Sequence, residues 1–99
     1  MALQKYGFIV KNPNLNLFTN HSQIATDNFN MMICGVPDAE HANYAAQEML
    51  TKGVQLIELC GSFTAEEAQA IRDAINDLVP VGFVQYTDEE RARIKQELS

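Results

Sequence analysis

The 99-residue chain predicts an α/β fold: a small, mainly parallel sheet of four to five strands with about three helices, in the order β-β(β)-α-β-α-β-α. Three observations carry that expectation. Short apolar, partly β-branched runs recur along the chain, at 6–10, 31–36, 54–60 and 81–86. Segments with helical periodicity and identifiable caps separate the later runs. Each such separation is long enough for a strand–helix–strand crossover, which makes parallel neighbours with a right-handed connection. With 46% apolar residues and no repeat or low-complexity tract, residues 1–99 are expected to form one domain around one core.

The first strand spans Gln4 to Lys11, with Tyr6-Gly-Phe-Ile-Val10 as its apolar centre. Asn12 to Asn20 follows as a loop, because four Asn, one Pro and a Thr favour turns and local side-chain hydrogen bonds over a ladder. Leu15, Leu17 and Phe18 interrupt its polarity, so the loop is expected to fold back on the body or on a partner. Gln23–Thr26 reads as a short strand and Phe29–Val36 as a stronger one, with Asp27-Asn28 as a turn signal. A hairpin and one bent strand both satisfy that pattern. Asp38 is placed to cap a helix whose apolar stripe is Ala42, Ala45, Ala46, Met49 and Leu50. Gly53 is suited to end it. Its three alanines make a narrow buried face that fits close docking on a sheet.

Val54 to Cys60 is an apolar run broken by Gln55 and Glu58, the pattern of a strand buried on both faces. Thr64-Ala-Glu-Glu67 is a capping box. The helix it opens carries Ala68, Ile71, Ile75 and Leu78 on one face, and Pro80 blocks continuation. Val81 to Tyr86 is the last strand. Thr87-Asp-Glu-Glu90 repeats the box and opens a charged helix whose apolar seam is only Ile94 and Leu98, so it is expected at the edge of the domain.

Composition excludes several classes of function. Seven Lys and Arg against thirteen Asp and Glu give a net charge of −6, and the basic residues are scattered. Neutralising a nucleic-acid backbone or an anionic membrane needs clustered cations, so neither partner is expected. No apolar stretch approaches the roughly 18 residues of a membrane span. The opening Met-Ala-Leu-Gln-Lys lacks the order of a secretory signal. Two cysteines do not make a disulfide framework. A cytoplasmic protein is the expectation, and homo-oligomerisation would supplement a small core.

Ligands of parallel α/β sheets bind beyond the carboxyl ends of the strands. The residues expected there are Asn12 after the first strand, Cys60, Gly61, Ser62 and Thr64 after the third apolar run, with Glu58 just inside, and Gln85 at the end of the last. A carboxylate within Leu56-Ile-Glu-Leu-Cys60 is a candidate acid–base group if its surroundings are apolar. Pairing with Lys11, His21 or an Arg, or exposure at the sheet end, would make it structural. The Gly61–Thr64 turn offers free N–H groups at a helix start, suited to phosphate or carboxylate. Cys60 beside that turn is a candidate nucleophile, against the commoner role of a small buried hydrophobe. His21, after the Asn-rich loop, is a candidate acid–base or anion contact. Cys34, Cys60 and His21 match no short metal-ligand spacing, so no metal is assigned, and no cofactor is implied. His41 is expected to be solvated on a helix face, Tyr44 to lie opposite the alanine stripe as a contact surface, and Met31-Met32 to be core.

Lys5-Tyr-Gly-Phe-Ile-Val-Lys-Asn-Pro-Asn14, Gly53-Val-Gln-Leu-Ile-Glu-Leu-Cys-Gly61 and Val79-Pro-Val-Gly-Phe-Val-Gln-Tyr86 together resemble a small family of bacterial and archaeal proteins of unknown function. The resemblance covers nearly the whole chain, and Glu-Leu-Cys-Gly is its most specific part. Family members often carry a second Gly where Ser62 stands. It implies no activity. Three readings follow from the residues: a binder of a small anionic or carbonyl-bearing ligand at the strand ends, a small isomerase, lyase or hydrolase with Glu58 as acid–base, and a non-catalytic oligomeric interaction module.

Overall fold

The computed structural model describes residues 2–99. Among them, five strands and three helices follow in the order β1 (Lys5–Lys11), β2 (His21–Ala25), β3 (Asn30–Val36), α1 (Ala39–Thr51), β4 (Ile57–Leu59), α2 (Ala65–Ala74), β5 (Val81–Phe83) and α3 (Asp88–Leu98). The strands form one sheet ordered β2-β3-β1-β4-β5. β1 is parallel to both β3 and β4, and β4 to β5, whereas β2 joins the edge antiparallel to β3. The two short runs around Asp27 are therefore a hairpin, closed where Thr26 N–H donates to the Phe29 carbonyl at 2.7 Å.

Both helical crossovers, β3-α1-β4 and β4-α2-β5, step across the sheet in one direction. Right-handed connections that step the same way lie on the same face, so α1 and α2 share one face and pack on each other. The return from β1 to β3 is made by a loop and an edge strand, which supplies no helix for the other face. The result is two layers. The core between them holds Ile9, Val36, Ala42, Ala46, Ile57, Leu59, Ala68 and Ile71, all fully buried. Close docking is visible at Gly7, where a β-carbon would come within 2.5 Å of Met49 Sδ of α1.

Several boundaries differ from the sequence pattern for local reasons. Val54–Leu56 is not strand: Val54 is buried beneath α1, and the Gln55 side-chain oxygen accepts from the backbone N–H of Gln4 and Lys5. The run 54–60 was expected to be covered on both sides, but β4 has helices on one side only, which is how Glu58 fits its centre. α2 ends at Ala74, since Asn76 and Asp77 take left-handed backbone conformations (φ 56° and 54°) and turn the chain before Leu78 reaches the helix face. Leu78 is left 69% exposed. The second capping box is half made: Thr87 accepts from Glu90 N–H, but the Glu90 carboxylate pairs with Arg93 instead of reaching back. α3 buries none of its residues, and only Ile94 is half-buried. The Asn-rich loop does fold back, with Leu15 against Gly35 and Leu17 against the core, while Phe18 stays 81% exposed. No helix among the described residues is long and apolar enough to cross a membrane.

Candidate functional site

Two places gather polar and reactive side chains, one over β2 and β3 beside α1 and one around the ends of β1 and β4. The first arises because β2 extends the sheet beyond the reach of α1. α1 packs over β1 and β3, so the helix-side surface of β2 and β3 becomes the floor of an open cleft of about 930 Å³. Strand alternation sends one set of side chains into it. His21 stands opposite Cys34, and Gln23 opposite Met32, across the antiparallel ladder. α1 forms the facing wall with His41, Tyr44, Glu48 and Lys52, spaced three or four apart as one helical stripe. Leu17 and Phe18 close one end.

The wall is held in place locally. His41 Nδ1 lies 2.7 Å from the Oδ1 of Asp38, the cap of α1, whose carboxylate also accepts from His41 N–H. These two bonds hold the Asp38 carboxyl below the usual carboxylate range. The His41 ring meets Tyr44 edge-on at 6.4 Å. On the floor, burial raises the pKa of the Cys34 thiol, which favours its protonated form. A thiol in that state is a weak nucleophile. A ring nitrogen at His21, the amide of Gln23 and a mainly apolar lining are the chemistry this cleft presents, while the Gln47 amide donates to the Ala74 carbonyl at 3.3 Å. Volume and lining both fall in the ordinary range of small-molecule sites.

The second place is the strand-end region. Tyr6 and Phe8 of β1 point away from the helices, as does Glu58, which pairs with Phe8 across the β1–β4 ladder. The Tyr6 hydroxyl donates to Glu58 Oε1. Burial, then this bond, then the carboxylate's charge push the Tyr6 pKa up to about 12. Just above, Lys11 N–H donates to Cys60 Sγ at 3.3 Å. The Lys11 ammonium sits 2.7 Å from Glu67 Oε1 and 5.1 Å from the centre of the Phe63 ring. Thr64 and Glu67 complete their capping box. A carboxylate of the chain itself thus lies at the start of α2, where an external anion was expected. The Lys11 hydrogen bond outweighs burial and holds the Glu67 carboxyl below its ordinary range.

The candidate residues are therefore only partly gathered. Cys60, Gly61, Ser62 and Thr64 adjoin Lys11 at the ends of β1 and β4, with Glu58 one step inside. Asn12 is near in sequence, but its side chain accepts from Asn14 N–H in a local turn. Gly61 lies under the Tyr86 ring, which a β-carbon would meet at 2.7 Å. Ser62 and Gln85 are exposed, and β5 ends two residues before Gln85. His21 lies on the helix side, on β2, with β3 and β1 between it and β4. Cys34, inside β3, and Cys60, just after β4, are both free, and their strands are separated by β1. Two strand spacings, about 9.6 Å, exceed the reach of a disulfide. No group of three or more His, Cys, Asp or Glu among the described residues is placed to hold a metal ion.

Sequence reasoning did not find the cleft. Its one visible signal was the polar stripe His41, Tyr44, Glu48 opposite the alanines of α1. The partnership of Tyr6 with Glu58 required the β1–β4 register, which no local pattern encodes. No curated protein and no solved structure matches the chain. The family comparison is positive over residues 4–99, and on that match the chain belongs to DUF6506, a family of unknown function.

Proposed function

We propose that this protein binds a small carbonyl-bearing or anionic ligand, and that the ligand lies in the cleft between α1 and β2. The observation that carries the reading is the cleft itself: about 930 Å³ of concave space with a mainly apolar lining and His21 and Gln23 along it. Apolar walls supply affinity by burial, and a few placed donors fix orientation. Phe18 and Tyr44, 81% and 57% exposed, stand on this cleft and would be covered by an occupant. A cytoplasmic setting remains part of the proposal.

A thermal-shift screen of aldehydes, ketones and carboxylates tests it. Binding to the folded state alone raises Tm with ligand concentration. A true ligand stabilises the wild type and Glu58→Gln alike, and loses its effect in His21→Ala and Gln23→Ala. If no compound raises Tm, or if the shift survives both cleft substitutions, the cleft is not a ligand site.

A second reading, a small isomerase, lyase or hydrolase with Glu58 as acid–base, is favoured by the Tyr6–Glu58 bond. That bond gives a carboxylate a defined proton-bearing neighbour. Here Glu58→Gln abolishes turnover of a stabilising ligand while His21→Ala affects only its binding. Equal turnover in Glu58→Gln and the wild type would exclude this role.

A further inference from the structure

Two surfaces of this chain lack a partner, and they are complementary. The first is the sheet face opposite α1 and α2. Strand alternation and the observed registers put Tyr6, Phe8 and Val10 of β1, Met31 and Ile33 of β3, and Ile24 of β2 on it. No helix crosses it. Parallel sheets are almost always covered on both faces, because strands joined by helical crossovers carry apolar residues on each side. Five strands about 4.8 Å apart, with residues at about 3.3 Å, make a face of about 400 Å², apolar across β1, β2 and β3 and carrying Glu58 and Gly82 on β4 and β5. Tyr6, Phe8, Val10, Met31 and Ile33 are half-buried and Ile24 is 55% exposed, and the largest apolar patch of a monomer is often functional.

The second surface is α3. Eleven residues are too few for a stable isolated helix in water, where lengths below about 12–15 are marginal. The helix is nonetheless capped by Thr87. Of its apolar seam, Ile94 is half-buried and Leu98 is 82% exposed, and no residue of α3 is buried. Arg91 lies three residues before Ile94 and seven before Leu98, on the same helical stripe. The bare face carries one carboxylate among its apolar residues, Glu58, and no ion pair among the described residues includes either Glu58 or Arg91. Tyr86 holds the connector to α3 across Gly61 at the end of β4. The helix leaves from the end of the sheet, and the molecule is drawn out to 41 Å along one axis against 26 and 25 Å along the others.

We infer that the bare sheet face is covered by α3 of a second copy of this chain, in a two-fold dimer in which each copy lays Ile94 and Leu98 on the other's β1 and β3 and sets Arg91 against the other's Glu58. The arrangement is reciprocal, as a two-fold contact must be. Each face-and-helix contact hides about 400 Å² on either side, so the pair reaches about 1,600 Å², the size of a standard stable interface. It also gives Glu58 a cation in addition to the Tyr6 hydroxyl, which a carboxylate enclosed by a helix requires.

Light scattering of the full-length protein across a concentration series tests this. The expected mass is twice 11.1 kDa for the wild type. Ile94→Asp, on an exposed helix whose loss leaves the core intact, is expected to give a monomer that still unfolds in one cooperative transition in urea. Glu58→Arg and Arg91→Glu are each expected to raise the dimer Kd at least about tenfold, and their combination to recover most of that loss, as coupled charges do. A monomeric wild type at high micromolar concentration overturns the inference. So does a dimer indifferent to Ile94→Asp, which would place the contact elsewhere, such as the β2 edge. Failure of the double charge reversal to recover dimerisation removes the Arg91–Glu58 pairing.

Discussion

The two faces of the sheet are made by the same five strands, with similar apolar content, and have different fates. On the helix side Gly7, Ile9, Val36, Ile57 and Leu59 are buried. On the other side Tyr6, Phe8, Val10, Met31 and Ile33 are only half-buried. Residue type does not separate these sets, since each contains aliphatic side chains from β1 and β3. Connection direction does. Two crossovers that step the same way deliver both helices to one side, and the residues of the other side keep an apolar composition with no helix over them; only Gly35, at the end of β3, lies under the Asn-rich loop. An apolar strand residue is thus a statement about the assembled protein and not about the monomer's core alone.

The largest expected effect sets these faces against each other. Ile57→Ala or Leu59→Ala, fully buried between sheet and helices, should cost about 2–5 kcal/mol in urea unfolding. Phe8→Ala on the bare face should cost well under half of that at low protein concentration, and more as concentration rises if a second copy covers it. Equal costs at all concentrations would mean that the bare face is as well packed as the core.

The glycines offer a sharper version. A β-carbon at Gly7 collides with Met49, whereas at Gly82, opposite Glu58 on the bare side, it meets nothing within 4 Å. Gly7→Val should destabilise by about 1–3 kcal/mol. Gly82→Ala should be neutral or stabilise by up to about 1 kcal/mol, because it restricts only the unfolded chain. A destabilising Gly82→Ala would show that something seats closely there.

Smaller effects separate α2 from α3. Thr64→Ala removes the hydroxyl half of a complete capping box on a packed helix and should cost about 1 kcal/mol, whereas Thr87→Ala, on a helix outside the monomer core, should cost less than half as much at low concentration. Glu67 adds a pH signature. Its carboxyl is held below its ordinary range by Lys11 in the folded chain, so its contribution is present above the unfolded value and lost as pH falls through the folded one. Glu67→Gln should flatten this acid limb. Tyr6 acts at the other end: its folded pKa of about 12 lies above the ordinary 10, so its contribution is complete below 10 and disappears as pH rises toward 12. Tyr6→Phe should remove that alkaline loss.

Much of the fold was legible because its signals are local. The Asp38 and Thr64 caps, the alanine stripe of α1 and the alternation of β1 depend on neighbours within a few residues. The strand ends near Cys60 were legible for the same reason. The cleft was not, because it is the gap between α1 and an edge strand that joins the sheet antiparallel. Nor was the separation of His21 from Glu58, which depends on strand order and on which side of the pleat each residue falls.

The sequence by itself determined the order and type of most elements, where the helices begin, and that the sheet is mainly parallel, since propensity, periodicity and capping act through short-range geometry. Only the tertiary structure decided that α1 and α2 share one face, that Glu58 meets Tyr6 and Lys11 meets Glu67, and that α3 stands clear of the body. Those outcomes follow from handed connections and strand order, which bring together residues up to 56 positions apart.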